Sequence, residues 1–259
     1  LDSALVLTDA AHAILDQNDV SATVAWDASY IYGGCFMHAA NERGIPAYQC
    51  GAGYSDNTLM FGRPDNASAM PQFKDRAVVE EYLEQPLSTA EQTAVEDVMT
   101  NRFGGSDVLE PIASANESVD TSEYDIAVGL FTNLIWDASL EAMDIIFDSP
   151  FEWIETTVEF VRDHPEILLL IKTHPAEAVY GTSEPVAKWI RSEFNPLPDN
   201  LRVLDPDTNV SPYELLHDLD VGIVYNSTIG LEMAYSGVPV VVAGQTHYRG
   251  LRFTYDPDT

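Results

Sequence analysis

The chain has 259 residues and is strongly acidic, with 42 Asp and Glu against 12 Lys and Arg and a formal net charge of −30. This charge excludes a general nucleic-acid-binding protein, which needs a cationic surface. Hydrophobic residues make up 46% of the chain, so we expect a folded core despite the charge. Because the acidic residues are dispersed along the chain, adaptation to molar salt is favoured over a specific cationic partner.

The first part of the chain, residues 1–103, is predicted to be a partial α/β domain with a helical extension. Gly44 follows a helical stretch at the place where a left-handed cap is needed. Ser88 and Glu91 have the spacing of a capping box. The turn-rich segment 51–71 is expected on the surface. The predicted elements are a helix at 1–17, a strand at 21–26, a helix at 30–43, a strand at 47–50, and mainly helical structure at 74–103 with a break at Pro86.

Residues 104–123 are polar and acidic and are predicted to be a linker, after which residues 124–259 form a second domain. Strands interleaved with helices in this second domain predict a doubly wound parallel sheet with right-handed crossovers. Strands are predicted at 125–131, 167–172, 201–204, 220–225 and 238–243, and helices at 150–164, 184–194, 211–218 and 228–236.

Polar residues follow the apolar run Ile167–Ile171, which is typical of a strand buried on both faces. Lys172 and His174 are two residues apart in an extended segment, so their side chains should leave the same face. A cation and an imidazole at the carboxyl end of a parallel strand suit a phosphate ester, with His174 as a catalytic donor to the leaving group. The alternative is a histidine that caps a nearby carbonyl beside a solvated lysine.

A second polar cluster follows the next buried run, Val221–Tyr225. Asn226, Ser227 and Thr228 precede a predicted helix, where amides and hydroxyls can hold a phosphate. Ordinary capping of the helix is the alternative and is compatible with binding. Glu232 lies one helical turn beyond Thr228 and could accept hydrogen bonds from ribose hydroxyls.

Four further residues are candidates from their positions alone. Asn133, His247 and Tyr248 lie in loops after predicted strands, where contact with a sugar and a plain loop role are both open. Asp27 ends the first predicted strand and is the candidate general base, with helix capping as the alternative. No Gly-x-Gly-x-x-Gly or Gly-x-Ser-x-Gly motif follows a strand, which disfavours a nicotinamide dinucleotide site and an α/β-hydrolase.

These motifs resemble the donor-binding half of GT-B glycosyltransferases, and the closest likeness is to the capsule-polysaccharide-synthesis type and related surface-glycan transferases. The resemblance covers about residues 124–250, and residues 20–58 are more loosely similar to an acceptor-side domain. It rests on the segments Lys172-Thr-His-Pro175, Tyr225-Asn-Ser-Thr-Ile-Gly-Leu-Glu232 and Gly237-Val-Pro-Val-Val-Val-Ala-Gly244. The family implies two facing α/β domains, with a His-Pro motif and a Ser/Thr helix start around the nucleotide phosphate and sugar.

The resemblance implies a metal-independent enzyme that transfers a sugar from a nucleotide-activated donor to a surface glycan or a lipid-linked saccharide, without a cofactor. The alternatives are a GT-B-like nucleotide-sugar 2-epimerase, a polyol-phosphate transferase of the teichoic-acid type, and a non-catalytic scaffold. The acidic composition further predicts that the protein comes from an extreme halophile. Compared with the family, the first domain is short by several strands, so we expect a piece of a longer protein.

The expected location is the cytoplasm, with the inner face of the membrane as a second option. No stretch of about 18 apolar residues occurs, so a membrane span is not predicted. Cys35 and Cys50 have neither CxxC spacing nor a nearby histidine cluster, so neither a zinc site nor a disulfide framework is predicted.

Overall fold

The computed structural model divides the chain into two compact units, residues 1–86 and residues 87–259. We call them the first unit and the second unit. Within the described residues, no helix is long and apolar enough to cross a membrane. The structure describes residues 2–26, 28, 30–52, 58–63, 83, 85–104, 118–137, 140, 143–208 and 210–258.

The first unit contains a small three-stranded sheet. Strands β1 (Thr23–Trp26) and β2 (Ala47–Ala52) are parallel, and β3 (Leu59–Gly62) is antiparallel to β2. Helices α1 (Asp2–Gln17) and α2 (Ile31–Glu42) contribute to a core made mainly of alanine, which includes Ala11, Ala40 and the larger Met37. The predicted βαβ succession is therefore present. Strand β3 was not predicted, since it lies inside the segment that the sequence assigned to surface turns.

The second unit contains a five-stranded, wholly parallel sheet with the order β6-β5-β4-β7-β8. The α/β type and the parallel pairing that the sequence predicted for this domain are confirmed, and the GT-B-like arrangement of two domains stays a prediction. The strands are β4 (Ile126–Phe131), β5 (Ile167–Lys172), β6 (Leu201–Leu204), β7 (Val221–Val224) and β8 (Val240–Val242).

One helix of the second unit precedes β4, and the other helices lie between the strands in the predicted alternation. The short helix Ala176–Tyr180 was not predicted, because Pro175 was interpreted only as the end of a strand. The helices are α3 (Thr89–Phe103), α4 (Pro150–Arg162), α5 (Ala176–Tyr180), α6 (Val186–Glu193), α7 (Pro212–Leu215), which continues as a 3-10 turn (Leu216–Asp218), and α8 (Ile229–Tyr235).

Burial on both faces explains why the sheet could be predicted from apolar runs. All six residues of β5 are buried. Leu168 and Leu170 belong to a core cluster with Leu215 and Met233. Leu169 and Ile171 alternate to the opposite face and are equally buried, so the sheet is covered on both sides.

Helix α3 begins with the predicted capping box. The Ser88 hydroxyl accepts from the backbone N–H of Glu91 at 3.3 Å, and the Glu91 carboxylate accepts from the N–H of Ser88 at 2.7 Å. The helix lies in the second unit, whereas the sequence placed the domain boundary after it, in 104–123. Most of that segment is outside the described residues, so the linker stays a prediction.

Candidate functional site

The topology of the second unit creates a switch point between β4 and β7. The chain builds outwards from β4 to β5 and β6 on one side and continues with β7 and β8 on the other side. Phe131 at the end of β4 is paired with Val224 at the end of β7, so both strands stop at the same level. Open α/β sheets bind ligands in the crevice at this place, because the connecting segments diverge there.

A cavity of about 290 Å³ opens at the carboxyl ends of these strands. Five predicted site residues line it together with Arg102 and Thr132, which the sequence did not suggest. The five are Lys172, His174, Ser227, Thr228 and Glu232. The structure thus brings two polar clusters, more than fifty residues apart in sequence, to one cavity of a size suited to a small ligand.

Lys172 is held rigidly at this cavity. Lys172 is only 5% exposed, and its Nζ donates to the backbone carbonyl of Asp205 at 3.0 Å. The carboxylate of Asp205 is itself held by Arg191 through two bonds of 2.8 and 2.6 Å. The hydrogen bond from Arg191 lowers the pKa of Asp205, and the charges of Arg191 and Lys172 lower it further against the effect of burial. A buried ammonium in a fixed position attracts a phosphate without the cost of ordering a flexible side chain.

His174 is held as a neutral hydrogen-bond donor. Burial lowers its pKa, the carboxylate of Asp137 opposes this shift, and the charge of Lys172 adds to it. Nδ1 accepts from the backbone N–H of Ala176 at 3.2 Å, so in the neutral ring the proton is on Nε2. The backbone N–H of His174 donates to the Thr132 hydroxyl at 3.2 Å, which ties the loop to the end of β4.

The start of α8 differs from the expected capped helix. Thr228 is the N-cap residue but lies in the right-handed helical region, with φ −66° and ψ −21°, and its side chain makes no capping hydrogen bond with a described residue. The expectation of side-chain capping is therefore wrong for Thr228. The segment is held instead by Tyr248, whose hydroxyl donates to the carbonyl of Ser227 at 2.6 Å.

Glu232 is 4% exposed and forms an ion pair with Arg102, with Nη1 and Oε1 2.5 Å apart. Arg102 is in the last turn of α3, and the next residue, Phe103, packs edge-on against Tyr213 with ring centroids 5.1 Å apart. Helix α3 therefore delivers a guanidinium to the cavity. The sequence indicated only weakly that Arg102 belongs to the site. Arg102 is one of only 12 basic residues, and it lies next to an aromatic residue and close to the predicted linker.

Asn133 and Asn226 occupy matching places beyond the ends of β4 and β7, each two residues after the paired Phe131 and Val224. The Oδ1 atom of Asn133 is buried and accepts no hydrogen bond within the described part of the chain. A buried carbonyl oxygen without a hydrogen-bond donor is unfavourable, and a ligand hydroxyl is one candidate for the donor.

Two further predicted site residues, Tyr248 and His247, do not line this cavity. Tyr248 is 1% exposed and packs in the core, so we assign it a role in positioning Ser227 rather than contact with a sugar. His247 packs edge-on against Tyr248 with ring centroids 4.9 Å apart, and burial lowers its pKa to about 4. Asp27, the predicted general base, is outside the described residues and stays a prediction.

No metal centre is evident in the part of the chain that the structure describes, since it contains no group of three or more His, Cys, Asp or Glu side chains that could hold an ion. Metal independence nevertheless stays a prediction.

Known proteins match this chain in structure and not in sequence. No protein-family model matches the sequence, and no curated protein matches it either. KpsC of Thermosulfurimonas dismutans, a beta Kdo 2,4 transferase, matches with a TM-score of 0.65 at 17% identity, over 91% of this chain and 73% of that chain. A beta Kdo 2,7 transferase structure of KpsC from the same organism matches with a TM-score of 0.57 at 15% identity, over 95% of this chain and 72% of that chain. At these identities, the likeness shows that this chain has the fold of those two glycosyltransferases.

Proposed function

We propose that this protein is a glycosyltransferase that moves a sugar from a nucleotide-activated donor to a surface glycan or a lipid-linked saccharide, without a metal ion or further cofactor. The observation that carries the proposal is the cavity at the switch point, where Lys172, His174, Ser227 and Thr228 converge. Cations, a neutral imidazole donor and hydroxyls are the groups that recognise a phosphate ester. The two KpsC transferases with this fold are named for Kdo transfer, so Kdo is one of the candidate sugars.

In this proposal the cavity stabilises the departing nucleotide. The bond between the anomeric carbon and the phosphate oxygen breaks, and the electron pair leaves with the oxygen. Lys172 stabilises the developing charge, and His174 donates its Nε2 proton in a hydrogen bond to the phosphate. The acceptor hydroxyl forms the new bond to the anomeric carbon, and its proton passes to a general base, for which Asp27 is the candidate.

The remaining polar groups orient the donor. The hydroxyls of Ser227 and Thr228 donate to the phosphate, while Glu232 accepts from ribose hydroxyls. Asn133 offers its buried Oδ1 to a hydroxyl of the sugar, which supplies the missing hydrogen bond of that atom.

The test uses the full chain in molar KCl with UDP-, GDP- and CMP-activated sugars, including CMP-Kdo, each with and without a saccharide acceptor and with and without EDTA. Release of nucleotide that requires the acceptor and withstands EDTA supports the proposal. Formation of an epimer without acceptor would identify an epimerase, and transfer only from cytidine diphosphate polyols would identify a polyol-phosphate transferase. If no nucleotide binds, the scaffold alternative replaces the proposal.

Substitutions locate the reaction in this cavity. His174→Ala should reduce kcat/KM by the equivalent of about 2–4 kcal/mol, the value typical of a lost donor to a developing anion. Thr228→Ala should weaken donor binding by about 1 kcal/mol, because other donors to the phosphate remain. His217→Ala is the matched control, since His217 lies in the 3-10 turn and does not line the cavity. Unchanged turnover of a folded His174→Ala protein would refute the assignment.

A further inference from the structure

We propose that Arg102 is a donor-binding residue, which holds the anionic group of the nucleotide donor while it stays paired with Glu232. This inference rests on the proposed function and adds a ligand-binding residue from α3, an element that precedes the sheet. The observations that carry it are the position of Arg102 on the cavity and the burial of the carboxylate that it pairs with.

Helix α3 is attached at the cavity by its last turn. None of its residues is buried. Phe103 packs against Tyr213 and against Tyr235, with ring centroids 5.1 and 6.2 Å apart. These contacts fix the helix end beside α7 and α8, and Arg102 reaches the cavity from there.

Glu232 alone would oppose the binding of a phosphate. Its side chain is 5% exposed, so its charge is weakly screened by water, and it lines the same cavity as Lys172 and His174. An anionic donor that enters this cavity meets a buried negative charge unless a cation compensates it. Arg102 supplies this cation, and its side chain remains 24% exposed.

The shape of the Arg102 side chain allows it to bind two anions at once. A guanidinium carries five N–H donors in a planar fork, so it can bond a carboxylate with one edge and an anion with another. An ammonium is a compact point charge without this fork, so Arg102→Lys should keep the charge and lose the bridge. Arg102 therefore has two tasks, to compensate Glu232 and to bind the donor, and these can be separated by experiment.

The experiment is a double-mutant cycle with Arg102→Ala, Glu232→Gln and the double variant, in which calorimetry measures binding of UDP, CMP and inorganic pyrophosphate. The measurements use the full chain at the lowest KCl concentration that preserves its near-UV circular dichroism spectrum. In the Glu232→Gln background, Arg102→Ala should still weaken binding about ten-fold or more, as expected when a charge-assisted hydrogen bond is lost. In the wild-type background, the same substitution should weaken it further, because Glu232 is left uncompensated.

Two controls isolate the effect. Arg43→Ala removes an arginine that is paired with Asp16 at 2.7 Å in the first unit and does not line the cavity, so it should leave the affinity nearly unchanged. Arg102→Lys should bind more weakly than wild type and more tightly than Arg102→Ala. Thermal unfolding of each variant reports the structural contribution of the ion pair separately from binding.

The outcomes also separate this inference from the proposed function. If Arg102→Ala has no effect on affinity in the Glu232→Gln background, Arg102 only compensates Glu232 and the inference is overturned. If nucleotides bind to no variant but pyrophosphate binding depends on Arg102 in both backgrounds, the anion-binding role stands and the glycosyltransferase proposal fails. If neither nucleotides nor pyrophosphate bind to the wild type, both fail.

Discussion

Gly230→Ala should destabilise the second unit and disturb the start of α8, since Gly230 makes room for Tyr248. A Cβ atom at this position would lie 2.2 Å from the Tyr248 hydroxyl, 2.9 Å from its Cζ and 3.2 Å from a methyl group of Val224. Overpacking of this kind costs about 1–3 kcal/mol. Loss of the hydrogen bond from Tyr248 to Ser227 adds about 1 kcal/mol. The higher helix propensity of alanine offsets about 1 kcal/mol, so we expect a net loss of about 1–3 kcal/mol.

Tyr248→Phe provides the second side of a double-mutant cycle, because it removes the atom nearest to the added methyl group. Alone it should cost about 1 kcal/mol, since the carbonyl of Ser227 also accepts from the N–H of Gly230 at 3.3 Å. The double variant should be more stable than the sum of the two losses by about 1 kcal/mol, because the closest clash is relieved while Cζ stays near.

Urea unfolding in molar KCl, followed by circular dichroism, measures these changes without an ionic denaturant. Gly51→Ala is the control, since no described atom lies within 4 Å of its added Cβ. Additive effects in the cycle, or a Gly230→Ala protein as stable as the wild type, would refute the reasoning that Gly230 accommodates the Tyr248 hydroxyl.

Three further perturbations have defined expectations. Asn200→Asp should lower the free energy of unfolding in urea by about 3 kcal/mol, because a carboxylate would repel the carbonyls that the buried amide now bonds. The Asn200 amide donates to the carbonyls of Val161, His164 and Ile167 at 2.8, 3.0 and 2.9 Å. Phe103→Ala should weaken nucleotide binding in calorimetry without altering a cavity side chain, because it loosens the helix end that holds Arg102. Lowering KCl from 2 M to 10 mM lengthens the Debye length from about 2 to about 30 Å, so the acidic side chains repel one another over a longer distance. Near-UV circular dichroism should then report loss of tertiary structure. Equal stability at both concentrations would contradict salt adaptation.

The parallel sheet could be predicted because burial on both faces leaves a strong local signal. The run Ile167–Lys172 has the same bounds in the sequence prediction and in the structure. Strand β3 was missed because Leu59 and Phe61 are exposed and alternate with partly buried residues, so no apolar run marks it. Helix α5 was missed because it is only five residues long.

The site was predictable only where its residues follow a buried strand directly. Lys172 and Ser227 were found because position at a strand end is a local property. Arg102 pairs with a residue 130 positions away, so its place at the cavity depends on the docking of α3, which no spacing reveals. For Tyr248 the sequence left contact with a sugar and a plain loop role both open, because its loop follows a strand. The structure shows that Gly230 leaves a space in the core that the Tyr248 side chain occupies.

His247 should make the stability of the second unit depend on pH in a window that the pKa shift defines. Burial lowers its pKa from 6.5 to about 4, so below pH 6.5 the unfolded chain takes up a proton that the folded protein does not. The contribution of His247 to stability is therefore complete above pH 6.5 and is lost as the pH falls towards 4. At about 1.4 kcal/mol for each pKa unit, the full loss is about 3 kcal/mol.

Because protonation of the 42 acidic residues also affects stability, the measurement must be a difference. The stability of the wild type relative to His247→Gln should fall by about 2–3 kcal/mol between pH 7 and pH 4.5 in urea unfolding at constant KCl. His217→Gln, measured in the same way, controls for the removal of a histidine elsewhere in the second unit. If the difference for His247→Gln stays constant over this range, the ring is reached by water in the folded protein, and the packing of the loop against Tyr248 does not exclude it.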